Sequence, residues 1–223
     1  MIKVVVFDVD NTLIDSIGAV KPCIESGANA IGITLPDNFM DLYYEADKFI
    51  CDEIKAGRQT RVSVGPLLWT TFLHSFGSED KLNEFCSAYS QSAFDNLKTI
   101  DGAKEILEYA SKKYPLAIAS NSSPVPQKRR LEKVGLLGYF SKFCFSGALG
   151  CEKPQKAFFE ALIKEVGVLP NEIFYVGDSY RVDIEGAKAC EITTCWYDYN
   201  KTGTHPPCAD YATSSLVKIK EFI

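Results

Sequence analysis

Two aspartates stand one residue apart where an apolar run ends: Asp8 and Asp10, in the segment FDVDNTL from Phe7 to Leu13. The run before them, Val4 to Phe7, is β-branched and aromatic without polar alternation, the pattern of a parallel strand buried on both faces. Carboxylates at such a place are poor packing material, so they point to chemistry. Oxygen donors of this kind hold a hard cation, attack an electrophile or move a proton. Further polar groups fall at corresponding places downstream. Ser120 ends the run PLAIAS and Asn121 follows it; Lys153 precedes a proline in GCEKPQ; Asp178 follows IFYVG, with Asp183 five residues on. Each alone has a bland explanation. An Asp after a strand caps a helix, a Ser-Asn-Ser-Ser run makes a turn, and a Lys before Pro is solvated surface. Placed in order behind successive strands they make a stronger case, because ligands of an open α/β sheet bind beyond the carboxyl ends of its strands.

The elements that must position these groups follow from the apolar pattern. Lys3 to Asp8 reads as the first strand. From about Ser16 to Asn96 the pattern turns helical, with Phe39, Leu42, Tyr43, Ala46, Phe49, Ile50 and Ile54 on one apolar face. Gly57 is a helix stop, and Pro66 and Gly77 are further breaks. Three to five helices are expected there, a small bundle rather than a loop. From Asp101 onward the rhythm is α/β. Strands are expected at Pro115–Ser120, Phe143–Phe145, Ile173–Val176 and Thr193–Tyr197, and helices from Pro124 to Gly135, around Phe159–Val166, over Asp183–Ala189 and over Ser214–Phe222. The prediction is an α/β fold, a Rossmann-like doubly wound parallel sheet made from residues 1–15 and 97–223, with a helical bundle of residues 16–96 inserted. Trp69 and Trp196 read as core residues. The basic run QKRRLEK, Gln127 to Lys133, reads as a solvated helix face with Leu131 turned inward.

Composition narrows the function classes. A chain of 223 residues with 46% hydrophobic and 24% charged residues is long enough for a good core. Its net charge of -5 and pI near 5.2 argue against a nucleic-acid partner, and an anionic ligand would need a local cationic pocket. The eight cysteines form no CxxC pair and only two histidines are present, so zinc spacing is absent. The start, MIKVVVFDVD, reaches aspartates before a secretory apolar region could form, and no stretch approaches the ~20 apolar residues of a membrane span. A cytoplasmic protein with no membrane association is expected.

The set DxDxT at Asp8–Thr12, the strand-final Ser120-Asn121, Lys153 before Pro154, and GDSxxxD from Gly177 to Asp183 resembles the haloacid dehalogenase (HAD) superfamily, and the helical insertion resembles that superfamily's C1 cap. The chemistry suits the residues. A carboxylate that attacks a phosphate dianion is repelled by it, and Mg²⁺ bridging the two removes the repulsion. Asp8 is then the nucleophile and Asp178 shares the metal. The resemblance implies the backbone carbonyl of Asp10 as a further ligand. Lys153 would pair with Asp8 and the phosphate, while Ser120 and the backbone at Asn121 would donate to phosphoryl oxygens. Asp10, on the same side of an extended segment as Asp8, is placed for acid/base work. Within the superfamily this second Asp indicates phosphatases and phosphomutases, since the metal-free dehalogenases lack it and phosphonate hydrolases carry a small residue there. Thr12 either orders the loop or is a turn hydroxyl. Asp183 is open between a metal ligand, direct or through water, a partner for Lys153 and a helix cap; orientation from behind the site is the reading adopted.

The leading function is a Mg²⁺-dependent phosphatase of a small-molecule phosphate ester. GCEKPQKAFFEAL, TCWYDYN and SSLVKIKEF resemble bacterial-type 5′-nucleotidases of the superfamily, which suggests a nucleoside 5′-monophosphate. The alternatives are a β-phosphoglucomutase-like phosphomutase and a non-catalytic regulatory module. Lys55, Arg58 and Arg61, around Gly57, are candidate contacts to the substrate's distal part, with Tyr43 and Tyr44 on the preceding helix. The sequence leaves the oligomeric state open between monomer and homodimer.

Overall fold

The computed structural model describes residues 1–59 and 64–223. They divide into two compact units, Met1–Asp15 with Lys98–Ile223, and Ser16–Leu97.

In the first unit six strands form one sheet, every pair parallel: β1 (Val4–Phe7), β2 (Leu116–Ser120), β3 (Lys142–Phe145), β4 (Ile173–Gly177), β5 (Thr193–Tyr197) and β6 (Tyr211–Thr213). Their spatial order is β3-β2-β1-β4-β5-β6, the doubly wound order in which the chain reverses its direction of travel across the sheet beside β1. Register decides what gathers there. Phe7 lies level with Ile118 of β2 and Val176 of β4. The next residue, Asp8, donates its N–H to the Val176 carbonyl (2.9 Å), so Asp8, Ser120 and Asp178 emerge at one sheet edge. Beyond Asp8 the chain winds tightly: Leu13 and Ile14 both donate to the Val9 carbonyl, and Asn11 takes φ 59°, a left-handed conformation Asn tolerates. Beneath this edge Val4 and Val6 pack in one cluster with Ala117, Phe158, Phe159 and Tyr175.

The strands match expectation to within a residue or so, apart from β6, whose three residues are too short to give a periodic signal. The helices depart in two places. The single helix expected over Asp183–Ala189 is a π turn, Tyr180–Ile184, leading into Glu185–Lys188. Wide turns of this kind concentrate at functional sites, and Asp183 sits inside this one. The expected C-terminal α-helix is a 3₁₀ helix, Leu216–Glu221, whose buried residues Leu216 and Ile219 are three apart, the spacing that eclipses in a 3₁₀ turn.

The second unit holds, among its described residues, four α-helices: α1 (Val20–Ala30), α2 (Phe39–Lys55), α3 (Gly65–His74) and α4 (Leu82–Asp95). Gly57 closes α2 with φ 71°, and Pro66 opens α3. Packing of α1 on α4 is close enough that a Cβ at Gly27 would meet the Phe85 ring at 2.7 Å. Trp69 is the hub of this core, with the rings of Tyr43, Phe72, Phe85 and Tyr89 around it. Phe39, Ala46 and Ile50 line the buried face of α2, but Phe49 is exposed, which corrects the expected face. At 100° per residue Phe49 falls roughly 80° from the centre of that face, on its rim.

No described helix is long and apolar enough to cross a membrane, and all eight cysteines are free thiols. Trp69→Ala should remove about 3–5 kcal/mol of stability from the helical unit. Urea unfolding followed by near-UV circular dichroism checks this; an unchanged midpoint would show that the ring cluster does not hold the bundle.

Candidate active site

Lys153 is the centre of the site, although its ammonium is almost wholly buried. It donates to Asp8 Oδ1 (2.7 Å), Asp183 Oδ1 (2.7 Å), the Ala119 carbonyl (2.9 Å) and the Tyr175 hydroxyl (3.2 Å). Burial pulls its pKa down, but Asp183 and Asp8 more than offset this and hold it above its ordinary value. Asn121 sets the backbone of the same residue. Its side-chain amide donates to the Lys153 carbonyl (2.9 Å) and accepts from the Lys153 N–H (2.8 Å). The sequence assigned Asn121 only a backbone role, so this reciprocal pair is an addition.

Asp183 is held on both oxygens. Oδ1 accepts from Lys153 and from the Tyr175 hydroxyl (2.9 Å), and Oδ2 accepts from the Ser179 N–H (3.1 Å). Asp178 accepts from the Thr12 hydroxyl (3.3 Å) across the sheet edge, while its carbonyl accepts from the Trp196 indole N–H (2.6 Å). Trp196 is therefore half-buried beside the site and is not the plain core residue expected.

Carboxylate oxygens of Asp8, Asp178 and Asp183 all lie within 4.8 Å of one another. Three carboxylates against one ammonium leave an excess of negative charge in a buried place. Burial raises the pKa of Asp8 well above its ordinary value, Lys153 opposes this, and Asp183, Asp178 and Asp10 add to it. Burial, reinforced by Asp183 and opposed by Lys153, pushes Asp178 up to about 7. A hard divalent cation answers both features, since it prefers oxygen donors and cancels the charge that the lysine leaves. With Asp183 engaged by Lys153, Tyr175 and Ser179, Asp8 and Asp178 are the better placed to hold such an ion.

Asp10 points to different partners. Arg130 Nη1 donates to its Oδ1 (2.7 Å) and Gln127 Nε2 to its Oδ2 (2.8 Å). Both partners belong to α6, defined as Pro124–Lys133 with α5 (Ala103–Ala110) before it. This corrects in part the reading of QKRRLEK as a solvated face, since Lys128, Arg129, Glu132 and Lys133 are exposed as expected. Leu131 does turn inward, but Gln127 is also fully buried, and Arg130 lies one turn on from it. Because α6 starts directly after the Ser120–Ser123 turn, its first turns rise beside the sheet edge. Gln127 and Arg130 stand three apart, which the sequence displayed, but their partner does not.

The proposed distal contacts fare differently. Arg58 is engaged by Glu53 through two bonds, at 2.9 and 2.6 Å. Arg61 lies outside the described residues, as does the side chain of Lys55. Tyr43 is committed to the Trp69 cluster, and Tyr44 is exposed.

A doubly wound sheet with Asp8, Lys153, Asp178 and Asp183 at the strand ends defines a class, and the family comparison agrees. The family model of the haloacid dehalogenase-like hydrolases matches residues 2–191, and the chain belongs to that family. Among its relatives is pyrimidine 5′-nucleotidase PynA of Streptococcus pneumoniae, 24% identical over 221 residues that cover 96% of this chain and 93% of that protein. The glyceraldehyde 3-phosphate phosphatase of Pyrococcus furiosus is 27% identical over 234 residues, covering 100% and 93%. The crystal structure of the HAD-hydrolase YfnB from Bacillus subtilis, bound to magnesium, has the same fold, with a TM-score of 0.88 at 22% identity over 99% of this chain and 98% of that one.

Two expectations follow from this geometry. A Cβ at Gly177 would stand 2.6 Å from Asp183 Cγ, so Gly177→Ala must displace the carboxylate that holds Lys153. Turnover should fall by about a hundredfold, and unchanged kcat would show that Asp183 is free to move. The second concerns pH. Asp178 keeps its proton to about 7 in the metal-free fold, against an ordinary value of 3.8, so in that window the folded chain binds more protons than the unfolded one. Its contribution to stability is therefore present below the lower value and lost as pH rises through the upper one. Without divalent metal, melting temperatures should show wild type losing ground to Asp178→Asn as pH rises through this window, and excess Mg²⁺ should reverse the trend. A wild type that gains on the variant would contradict the assignment.

Proposed function

We propose that this chain is a Mg²⁺-dependent phosphomonoesterase that works through an aspartyl phosphate on Asp8. The observation that carries the reading is the buried ammonium of Lys153, shared between Asp8 and Asp183 beside Asp178. A carboxylate set in this way is aimed and partly neutralised without being protonated by its partner. Asp8 forms the bond to phosphorus as the ester oxygen leaves, and Asp10 delivers the proton that the leaving alkoxide needs. Asp10 then takes a proton from a water, whose oxygen displaces Asp8 and frees inorganic phosphate. Lys153, the Ser120 hydroxyl and the Asn121 N–H bind the phosphoryl oxygens, and Thr12 and Asp183 hold Asp178 and Lys153 in place. Mg²⁺, held by the carboxylates of Asp8 and Asp178 and the carbonyl of Asp10, would neutralise charge as the phosphoryl group transfers.

The helical unit, inserted directly after the Asp8–Thr12 turn, is taken as a cap that selects the substrate, with Lys55, Arg58 and Arg61 as candidate contacts. For Arg58 that role requires release from Glu53. A pyrimidine nucleoside 5′-monophosphate is the leading substrate, supported by the likeness to PynA along nearly the full length of both chains. Free thiols throughout support a reducing, cytoplasmic setting.

Phosphate release should be measured on p-nitrophenyl phosphate, nucleoside 5′-monophosphates, glyceraldehyde 3-phosphate and phosphoglycolate, with Mg²⁺ and with EDTA. Activity should need the metal and fall by about 10³-fold or more in Asp8→Asn. An inactive wild type, or an undiminished Asp8→Asn, would sink the scheme. An isomeric phosphate ester formed without inorganic phosphate would replace hydrolase with mutase.

A further inference from the structure

We propose that Gln127 and Arg130 of α6 are positioning residues that aim the Asp10 carboxyl at the leaving group and orient the Ser120 hydroxyl toward the phosphate. The inference rests on the phosphomonoesterase reading above and assigns work to two residues that reading does not use.

Donor and acceptor capacity fixes the orientation of this network. A guanidinium only donates and an ionised carboxylate only accepts. Arg130 Nη1 lies 2.7 Å from Gln127 Oε1 and 2.7 Å from Asp10 Oδ1. The oxygen of the Gln127 amide must therefore face Arg130, and its nitrogen must face the other way. That nitrogen donates to Asp10 Oδ2 at 2.8 Å and to Ser120 Oγ at 3.2 Å. Each Asp10 oxygen thus has its own donor, so rotation about the carboxyl is restricted although Asp10 sits on a loop and its side chain is 37% exposed. Ser120 Oγ accepts from Gln127, so the single hydroxyl proton is left to donate elsewhere, as a phosphoryl oxygen requires. Gln127 is fully buried, a costly place for an amide whose groups are not paired, and this network pairs both ends. Polarity runs in one direction, from Arg130 through Gln127 to Ser120.

The two tasks leave different kinetic signatures. An acid that is poorly aimed matters most for a poor leaving group. Hence kcat/KM for an alkyl phosphate should suffer while p-nitrophenyl phosphate, whose leaving group needs little protonation, is spared. A hydroxyl turned the wrong way weakens phosphate binding whatever the leaving group.

The experiment compares wild type, Asp10→Asn, Arg130→Met, Arg130→Lys and Gln127→Glu on p-nitrophenyl phosphate and on the best alkyl phosphate of the panel, with inorganic phosphate as inhibitor. Arg130→Met should lose about tenfold to a hundredfold in kcat/KM on the alkyl ester and less than about threefold on the aryl ester, with part of the loss restored in Arg130→Lys. Gln127→Glu, nearly the same shape but with an acceptor facing Asp10 and Ser120, should lose on both esters and bind inorganic phosphate more weakly. Arg130 is on the rim of the site and its variants should melt within a few degrees of wild type, so the test does not depend on Gln127→Glu folding. Equal losses on both esters in Arg130→Met, while Asp10→Asn still separates them, would overturn the positioning role and leave the phosphatase reading standing. A wild type that hydrolyses neither ester would remove that reading and this one with it.

Discussion

One ammonium group without solvent, shared between two carboxylates, is the constraint on which the site depends. Lys153 is tolerable at its position only because Asp8 and Asp183 lie 2.7 Å away on either side and a carbonyl and a phenol take up its remaining direction. Removing the ammonium would leave Asp8 and Asp183 as buried carboxylates without their cation, a loss of about 3–5 kcal/mol. The neighbouring residues are explained by that need. Asn121 pins the Lys153 backbone, Tyr175 and Ser179 hold Asp183, and Thr12 and Trp196 hold Asp178 by its two ends. Burial first, and Asp183 beside it, raise the pKa of Asp178. The cluster still carries more negative than positive charge, which makes the place fit for a divalent cation.

The fold brings this about through register and strand order. With β1 between β2 and β4, residues far apart in the chain reach the same edge one step past the last strand pairs. A slip of one residue in β1 would turn Asp8 to the opposite face, away from Lys153 and Asp178. The all-buried strand Val4–Phe7 resists such a slip, since Val4 and Val6 sit in one cluster with Phe158, Phe159 and Tyr175 while Phe7 meets the Phe140 ring, and a slip would exchange those faces. Rigidity at the chemical centre is thus supplied by apolar packing beneath it.

The helical unit obeys different rules. Its centre is a cluster of aromatic rings around Trp69, in place of the buried charge network of the sheet, among the described residues. A unit that packs on its own can change its surface residues without disturbing the strand ends.

Much of this was legible in the chain alone. A strand followed by a carboxylate, a hydroxyl or a lysine is a local pattern, so Asp8, Asp10, Ser120, Lys153 and Asp178 could be picked out, and the alternation of elements predicted the parallel sheet. Helix faces were legible where periodicity was strong, and failed at the rim, as Phe49 shows. What the tertiary structure decided were the partners. Gln127 and Arg130 read as surface because a polar helix face looks the same whether it meets water or a carboxylate 117 or 120 residues away. Trp196 looked like core because only its ring registers in a hydrophobic pattern, whereas its N–H acts at the site, as does the hydroxyl of Tyr175 inside its strand. Sequence periodicity reports burial, a property each segment carries by itself. The direction of a hydrogen bond is a property of two segments, and it exists only once the sheet has brought them together.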